Sequence, residues 1–179
     1  LDNMDFIKKI LFSREELSDT VKRLGKQISE DYKDKNLLLV SLLKGSVLFM
    51  ADLMREITFP CAIDFMSVSS YTGTKNSGGN VNILKDLNID IKGYDVLIVE
   101  DILESGYTLK CVTEMFKLRN PASIKICTLL DKPDCRKTDI EAEYVGHKIP
   151  DDFVVGYGMD CNEKYRNLPF VGVLNPKYI

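Results

Sequence analysis

Three stretches of the chain are almost wholly apolar, and segments with helical spacing of their apolar residues lie between them. The stretches cover residues 37–43, 94–99 and 124–130. Such runs are typical of parallel strands that are buried on both faces, with helices as the crossover connections. The helices are expected at 46 to about 57 and at 107 to about 118. We therefore predict an α/β fold with a central, mostly parallel sheet flanked by helices.

An earlier helix is indicated near the N-terminus. Ser13 and Glu16 have the spacing of a capping box, in which each side chain binds the backbone N–H of the other residue. Leu17 and Val21 then begin an apolar stripe at helical spacing. The pattern predicts a helix that runs to about Tyr32.

Two other regions lack this periodicity. Residues 67–80 are polar, rich in glycine and too long for a simple turn, so they form either a lid or a flexible linker. After Asp131, prolines divide the chain into short extended pieces, and the only histidine, His147, is expected in an exposed turn. We predict a single domain over residues 1–179, in which about 150–179 and the N-terminal segment form a small hood subdomain.

Charge and cysteine content narrow the class of protein. The 24 Lys and Arg against 27 Asp and Glu give a net charge of −3, which offers no broad basic surface for nucleic acid or anionic lipid. The apolar runs are far shorter than the ~20 residues that cross a bilayer. The opening residues lack a secretory signal pattern, and the five cysteines are scattered without C-x-x-C spacing. We predict a cytoplasmic protein with neither nucleic acid nor membrane as a partner.

The end of the second apolar stretch combines the features of a phosphate site. Glu100 and Asp101 end the strand, and a loop with Gly106 leads into the next helix. Ligands of open parallel sheets bind at the carboxyl ends of strands. Free N–H groups at the helix start, with the hydroxyls of Ser105 and Thr108, would bind a phosphate. The two acids would repel that phosphate, so we expect them to face ribose hydroxyls or Mg²⁺.

This segment resembles the phosphoribosyl pyrophosphate (PRPP) motif of type I phosphoribosyltransferases, in which two acids precede a loop with glycine and threonine. An acidic strand end before a helix is common by itself, but further segments resemble the hypoxanthine-guanine branch in the same order along the chain. They are a pyrophosphate loop with an often cis peptide at 42–45, the start of a mobile loop at 69–71, and the purine pocket and hood at 130–133, 152–160 and 163–169.

The resemblance implies a purine salvage enzyme that transfers the 5-phosphoribosyl group from PRPP to hypoxanthine or guanine, with Mg²⁺ as cofactor, in a homodimer or homotetramer. It implies that PRPP is bound by Lys44, Gly45, Ser70, Tyr71, Glu100, Asp101, Glu104, Ser105, Gly106, Tyr107, Thr108 and Arg166. It also implies that the purine is bound by Lys132, Phe153, Val154 and Asp160, and the metal by Glu100, Asp101 and Asp160.

The implied roles of the purine residues agree with their chemistry. Lys132 would donate to the exocyclic oxygen, Phe153 would stack on the ring, and Val154 would contact the base edge through its backbone. Arg166 would bind pyrophosphate. Each residue has a plainer alternative, since Lys132 could pair with Asp131 at the surface and Phe153 could belong to the core.

Glu104 departs from the family, which usually has an aspartate there as the acid or base at an imidazole nitrogen of the purine. Glutamate keeps the carboxylate but changes its reach by ~1.5 Å, a displacement that can slow a reaction. We assign Glu104 as the catalytic acid or base. The implied reaction displaces pyrophosphate from the anomeric carbon, and a closed lid would exclude water.

Two other functions remain possible. A regulator of the same fold that binds nucleotide and RNA without purine transfer would need a basic face, which the net charge does not favour. The second alternative is a phosphoribosyltransferase for xanthine, adenine or a pyrimidine. Adenine would bind poorly beside Lys132, because its exocyclic amino group and the Lys132 ammonium are both hydrogen-bond donors. Hypoxanthine, guanine and xanthine all have a 6-oxo group, so the choice among them stays open.

Overall fold

The computed structural model describes residues 4–70 and 81–179, with Ser70 described by its backbone only. The elements in chain order are β1 (Ile7–Phe12), α1 (Arg14–Asp31), β2 (Leu37–Leu43), α2 (Val47–Arg55), β3 (Ala62–Ser70), β4 (Val81–Lys85), β5 (Asp95–Leu103), α3 (Tyr107–Lys117), β6 (Ser123–Asp131), β7 (Tyr144–Lys148), β8 (Val154–Val155) and β9 (Val171–Leu174). Short 3₁₀ turns lie at Pro133–Cys135 and Pro176–Tyr178.

The larger sheet has the strand order β4-β3-β2-β5-β6-β7, and all its neighbouring pairs are parallel except β3 with β4. Leu39 and Leu97 pack with α1 and α2 on one face, and Leu38 and Ile98 pack with α3 on the other. All four side chains are fully buried. The predicted α/β fold with a central, mostly parallel sheet is therefore confirmed.

The strand order fixes where a ligand can enter. From β2 the chain moves outward to β3 and β4, and it then returns to β5 on the other side of β2. The loops after β2 and β5 therefore leave the sheet next to each other at its carboxyl edge, which is the usual ligand position in open α/β sheets.

A second, smaller sheet contains β1, β9 and β8 in that order. The N-terminal segment joins it, because the Phe6 carbonyl accepts from Asn175 N at 2.8 Å and the Phe6 ring stacks on Tyr165 with 5.1 Å between centroids. This sheet lies within the residues that the sequence assigned to the hood. The single-domain organisation with a hood stays a prediction.

Helix α1 begins as predicted. The Ser13 hydroxyl accepts from Glu16 N at 3.2 Å, and the Glu16 carboxylate accepts from Ser13 N at 2.8 Å. The expected boundary of the lid segment was wrong, because residues 67–70 continue β3 and pair with β4. Residues 71–80, the rest of that segment, lie outside the described residues.

The helices and the cysteines can be compared with what the sequence indicated about membranes and disulfides. Within residues 4–70 and 81–179, no helix is both long and apolar enough to cross a bilayer. No disulfide joins any of the five cysteines, all of which are in the described ranges.

His147 is not in an exposed turn, as the sequence suggested, but in β7. Its ring stacks on Phe12 with 4.0 Å between centroids. The Thr20 hydroxyl donates to the Glu16 carbonyl at 2.8 Å, so its oxygen is free to accept from His147 Nε2–H at 2.6 Å. Burial, with a smaller contribution from the Arg23 charge, lowers the pKa of His147, while Glu16 opposes this.

We expect this histidine to make stability fall in acid. Because its folded pKa is lowered, the neutral ring stabilises the fold fully above the ordinary value of about 6.5, and this stability is lost as the pH falls below it. Urea unfolding at pH 7.5 and 5.0 should show a smaller acid loss for His147→Gln than for the unaltered chain. Equal losses in both proteins would contradict the assignment.

Candidate active site

Two cavities meet at the carboxyl edge of the larger sheet. The larger, of about 490 Å³, is lined by these predicted PRPP residues: Lys44, Gly45, Glu100, Asp101, Glu104, Ser105, Gly106, Thr108 and Arg166. The smaller, of about 210 Å³, is lined by Lys132, Phe153, Val154 and Met159. Asp101, Ile102, Glu104 and Asp160 line both. The boundary between the cavities is therefore acidic.

The loop after β2 brings backbone close to the acids. The Leu43–Lys44 peptide is cis, in agreement with the resemblance. A Cβ on Gly45 would overlap the Asp101 carboxylate, and one on Gly158 would overlap the Gly45 carbonyl. The missing side chains let the β2 loop, the end of β5 and the 156–160 turn converge on the larger cavity.

Two cations face this cavity and are held by carboxylates. Lys44 Nζ lies 3.0 Å from Glu163 Oε2, with both side chains largely exposed. Arg166 donates to the Gly158 carbonyl at 2.8 Å and lies 3.0 Å from Asp160 Oδ1, while its buried Nε has no hydrogen-bond partner among the described residues. A buried donor without a partner favours an anionic ligand here. Lys44, with a smaller contribution from Arg166, lowers the pKa of Glu163.

Glu100 and Asp101 lie near the carboxyl end of β5, which continues past them to Leu103, two residues further than the sequence indicated. Asp101 is 9% exposed, and its Oδ1 accepts from Ile102 N at 2.8 Å, while Glu100 Oε1 accepts from Asp101 N at 3.2 Å. Burial, followed by the charge of Asp101, raises the pKa of Glu100. The pair is therefore an electrostatically crowded acidic site that a cation would relieve.

The donor set fits Mg²⁺ when a phosphate substrate completes the coordination. Glu100, Asp101 and Asp160 supply hard oxygen atoms around one cavity. No cluster of three or more His, Cys, Asp or Glu within the described ranges could hold a metal ion by itself. Mg²⁺ is commonly bound by one or two carboxylates together with substrate phosphates and water. The residues present are suited to that mode of binding.

The loop before α3 is held by contacts that the sequence did not reveal. The Ser105 carbonyl accepts from Lys137 N at 3.0 Å and from Thr138 Oγ1 at 3.2 Å. Gly106 is the N-cap of α3. Tyr107 follows it, but its side chain is 43% exposed and lines neither cavity. The first backbone N–H groups of α3 remain the part of this segment suited to bind a phosphate.

Arg136 links the loop that carries Glu104 to the end of β6. Its guanidinium donates to the Glu104 carbonyl and to the Asp131 carboxylate. Asp131 therefore pairs with Arg136, and the alternative in which it forms a surface pair with Lys132 is wrong. No motif pointed to Arg136, since it reaches Glu104 across 32 positions of sequence.

The smaller cavity has an aromatic ring, Phe153, and a buried ammonium, that of Lys132, in its lining. The Lys132 side chain is 4% exposed, and its Nζ donates to Glu104 Oε1 and lies 3.4 Å from Asp151 Oδ1. Phe153 is 44% exposed, which contradicts the alternative that it belongs to the core, and Val154 beside it is 7% exposed. The side chain of Ser70 and all of Tyr71 lie outside the described residues.

Comparison with known proteins agrees with this geometry. Residues 10–162 match the phosphoribosyl transferase domain family. The hypoxanthine-guanine phosphoribosyltransferase of Staphylococcus epidermidis is 56% identical over 168 residues, which cover 94% of each chain. A crystal structure of a hypoxanthine phosphoribosyltransferase from Staphylococcus aureus has a TM-score of 0.94 at 51% identity, covering 98% of each chain. A hypoxanthine-guanine phosphoribosyltransferase from Bacillus anthracis has a TM-score of 0.88 at 47% identity, covering 94% of this chain and 98% of that one.

Proposed function

Because the chain belongs to the hypoxanthine-guanine phosphoribosyltransferase family, we propose that its larger cavity binds PRPP and its smaller cavity binds a 6-oxopurine. The reaction is purine salvage, in which hypoxanthine or guanine receives the 5-phosphoribosyl group and pyrophosphate is released. The observation that carries the assignment of the cavities is their shared boundary, where Glu104 lies between the phosphate side and Lys132. No observation favours the regulator.

The larger cavity would hold PRPP at its two charged ends. The 5-phosphate would accept from the first N–H groups of α3 and from the hydroxyls of Ser105 and Thr108. The pyrophosphate would accept from the Gly45 backbone and from Arg166, whose guanidinium would exchange its contacts with Asp160 and Glu163 for the ligand. Tyr71 stays a predicted member of a lid over this cavity, and Ser70 precedes it as the last residue of β3.

The smaller cavity would fix the purine. Phe153 offers an exposed ring face for stacking, the backbone of Val154 reaches the base edge, and Lys132 donates to the 6-oxo group. A nitrogen of the imidazole ring then attacks the anomeric carbon as the bond to pyrophosphate breaks. The proton on the imidazole passes to Glu104, which serves as the base in this direction and as the acid in reverse.

Glu100, Asp101 and Asp160 are the residues that would hold Mg²⁺ together with PRPP. When bound, the ion neutralises negative charge that develops on the leaving pyrophosphate. Burial and the charge of Asp101 raise the pKa of Glu100, and a cation bound beside the two acids would oppose this effect.

We also propose a cytoplasmic location and a homodimer or homotetramer. The five cysteines without a disulfide favour a reducing compartment. Val47 and Leu48 on α2, with Ile63 on β3, are each more than a third exposed, and a second copy of the chain would cover apolar surface of this kind.

An assay of the purified protein tests the function directly. The assay supplies PRPP and Mg²⁺ with hypoxanthine, guanine, xanthine or adenine in turn, and it measures the nucleotide formed spectrophotometrically. We expect transfer of the phosphoribosyl group to hypoxanthine or guanine and almost none to adenine. Nucleotide formation from none of the four purines would refute the proposal.

Lys132→Met should separate purine binding from PRPP binding. The change keeps the length and apolar stem of the side chain but removes the donor to the 6-oxo group, so the KM for hypoxanthine should rise about 30-fold, as for a buried charged hydrogen bond. The KM for PRPP should change less than about threefold. Equal losses for both substrates would mean that Lys132 does not contact the base.

A further inference from the structure

The buried ammonium of Lys132 has two carboxylate partners, although the reaction described above uses only one. It donates to Glu104, and it lies 3.4 Å from Asp151 Oδ1 in the turn that precedes Phe153. The Lys132 side chain is 4% exposed and that of Asp151 is 74% exposed. Asp151 lines neither cavity, so it does not reach a ligand itself.

Glu104 cannot remain the anionic partner of Lys132 throughout the reaction. Once it accepts the imidazole proton it is a neutral carboxylic acid, and its attraction for the ammonium falls. Burying an ammonium without an anionic partner costs free energy. Nothing would then hold the Lys132 side chain in the orientation that faces the purine. Asp151 is the one other carboxylate that pairs with Lys132 in the described part of the chain.

Local contacts favour the anionic form of Asp151 and fix the backbone on both sides of the ion pair. A hydrogen bond from the Cys135 thiol, followed by the contact with Lys132, lowers the pKa of Asp151, so it is ionised at neutral pH. The backbone of the same turn is closed by Asp152 N, which donates to the Pro150 carbonyl at 2.8 Å. The Lys132 backbone is fixed as well, because its N–H donates to the Leu103 carbonyl at 2.9 Å.

We infer that Asp151 is a positioning residue for purine recognition: it holds the Lys132 ammonium toward the 6-oxo group while Glu104 carries the purine proton. The inference rests on the proposed function and adds a residue that acts without touching the substrate. It also bears on specificity, since an ammonium held in place offers only N–H donors to the base and favours 6-oxo over 6-amino purines.

The test compares Asp151→Asn with the matched control Asp134→Asn. Asp134 is exposed, lies two residues from Lys132 in the Pro133–Cys135 turn, and its side chain forms no hydrogen bond or ion pair among the described residues. Because Asp151 acts once Glu104 is protonated, Asp151→Asn should lower kcat with hypoxanthine about fivefold, with both KM values and the thermal midpoint nearly unchanged. Asp134→Asn should leave all of these unchanged, and Asp151→Glu should restore much of kcat.

A double variant links the effect to Lys132. In a Lys132→Met background, Asp151→Asn should have no further effect on kcat, because the group that it positions is gone. An additive effect there, a change confined to the KM values, or identical behaviour of the two asparagine variants would overturn the inference while the proposed function stands. If the unaltered chain used neither hypoxanthine nor guanine, the proposed function and this inference would both fall.

Discussion

Removal of divalent cations with excess chelator is expected to lower turnover of PRPP and hypoxanthine by at least about 10³-fold. The pyrophosphate leaves with several negative charges, and charge stabilisation by a bound divalent ion is worth several kcal/mol, which corresponds to a change of this size. Lys44 and Arg166 alone cannot replace it, since both already contact carboxylates. The experiment measures initial rates at a fixed PRPP concentration over a series of free Mg²⁺ concentrations.

Two controls make the result specific. Mg²⁺ added in excess over the chelator should restore the full rate, which excludes damage to the protein. Asp101→Asn should shift the dependence to higher free Mg²⁺, whereas Asp139→Asn, which removes a carboxylate that pairs with Lys110 away from the cavities, should not. Full turnover in excess chelator would show that Glu100, Asp101 and Asp160 have another role.

The fold was predictable where strands are buried on both faces. β2, β5 and β6 were visible as continuous apolar runs for that reason. β3 and β7 were not identified, because they contain polar residues such as Asp64 and His147 whose partners come from other elements. The Asp64 carboxylate accepts from Asn88 N at 2.7 Å and from Ile89 N at 2.9 Å, and neither bond can be inferred from the local pattern.

The sequence indicated which loops carry the ligand-binding residues, but it did not indicate which side chains pair with those residues. The order of the motifs indicated which strand ends carry the ligand groups, and their residues line two adjoining cavities. The partners that hold them are Arg136 and Asp151, which lie outside the motifs, and Glu163, which lies in the 163–169 segment but had no role assigned to it. Their contacts depend on the strand order β2-β5-β6, which brings the ends of these strands together, and on the turns that follow β7 and β8.

Glu104→Gln is expected to lower kcat by about 10²-fold, because general acid–base transfer typically contributes 10²–10⁴ and a purine anion would bypass part of it. PRPP binding should persist, since the Ser105 carbonyl contacts that hold the loop do not involve the Glu104 side chain. Glu104→Asp keeps the carboxylate and restores the side chain usual in the family, so it should retain substantial activity. Steady-state kcat and both KM values are measured for each variant.

The alternative is that Glu104 serves only as the ion-pair partner of Lys132, which its extra methylene enables it to reach. Gln would then weaken the hold on Lys132 and raise the hypoxanthine KM, as Lys132→Met does, but it would leave kcat nearly unchanged. Glu104 is half-exposed, so neither variant should shift the thermal midpoint by more than a few degrees. A fall in kcat at an unchanged midpoint assigns proton transfer to Glu104, because the loss of an ion pair that only positions Lys132 would appear in the hypoxanthine KM.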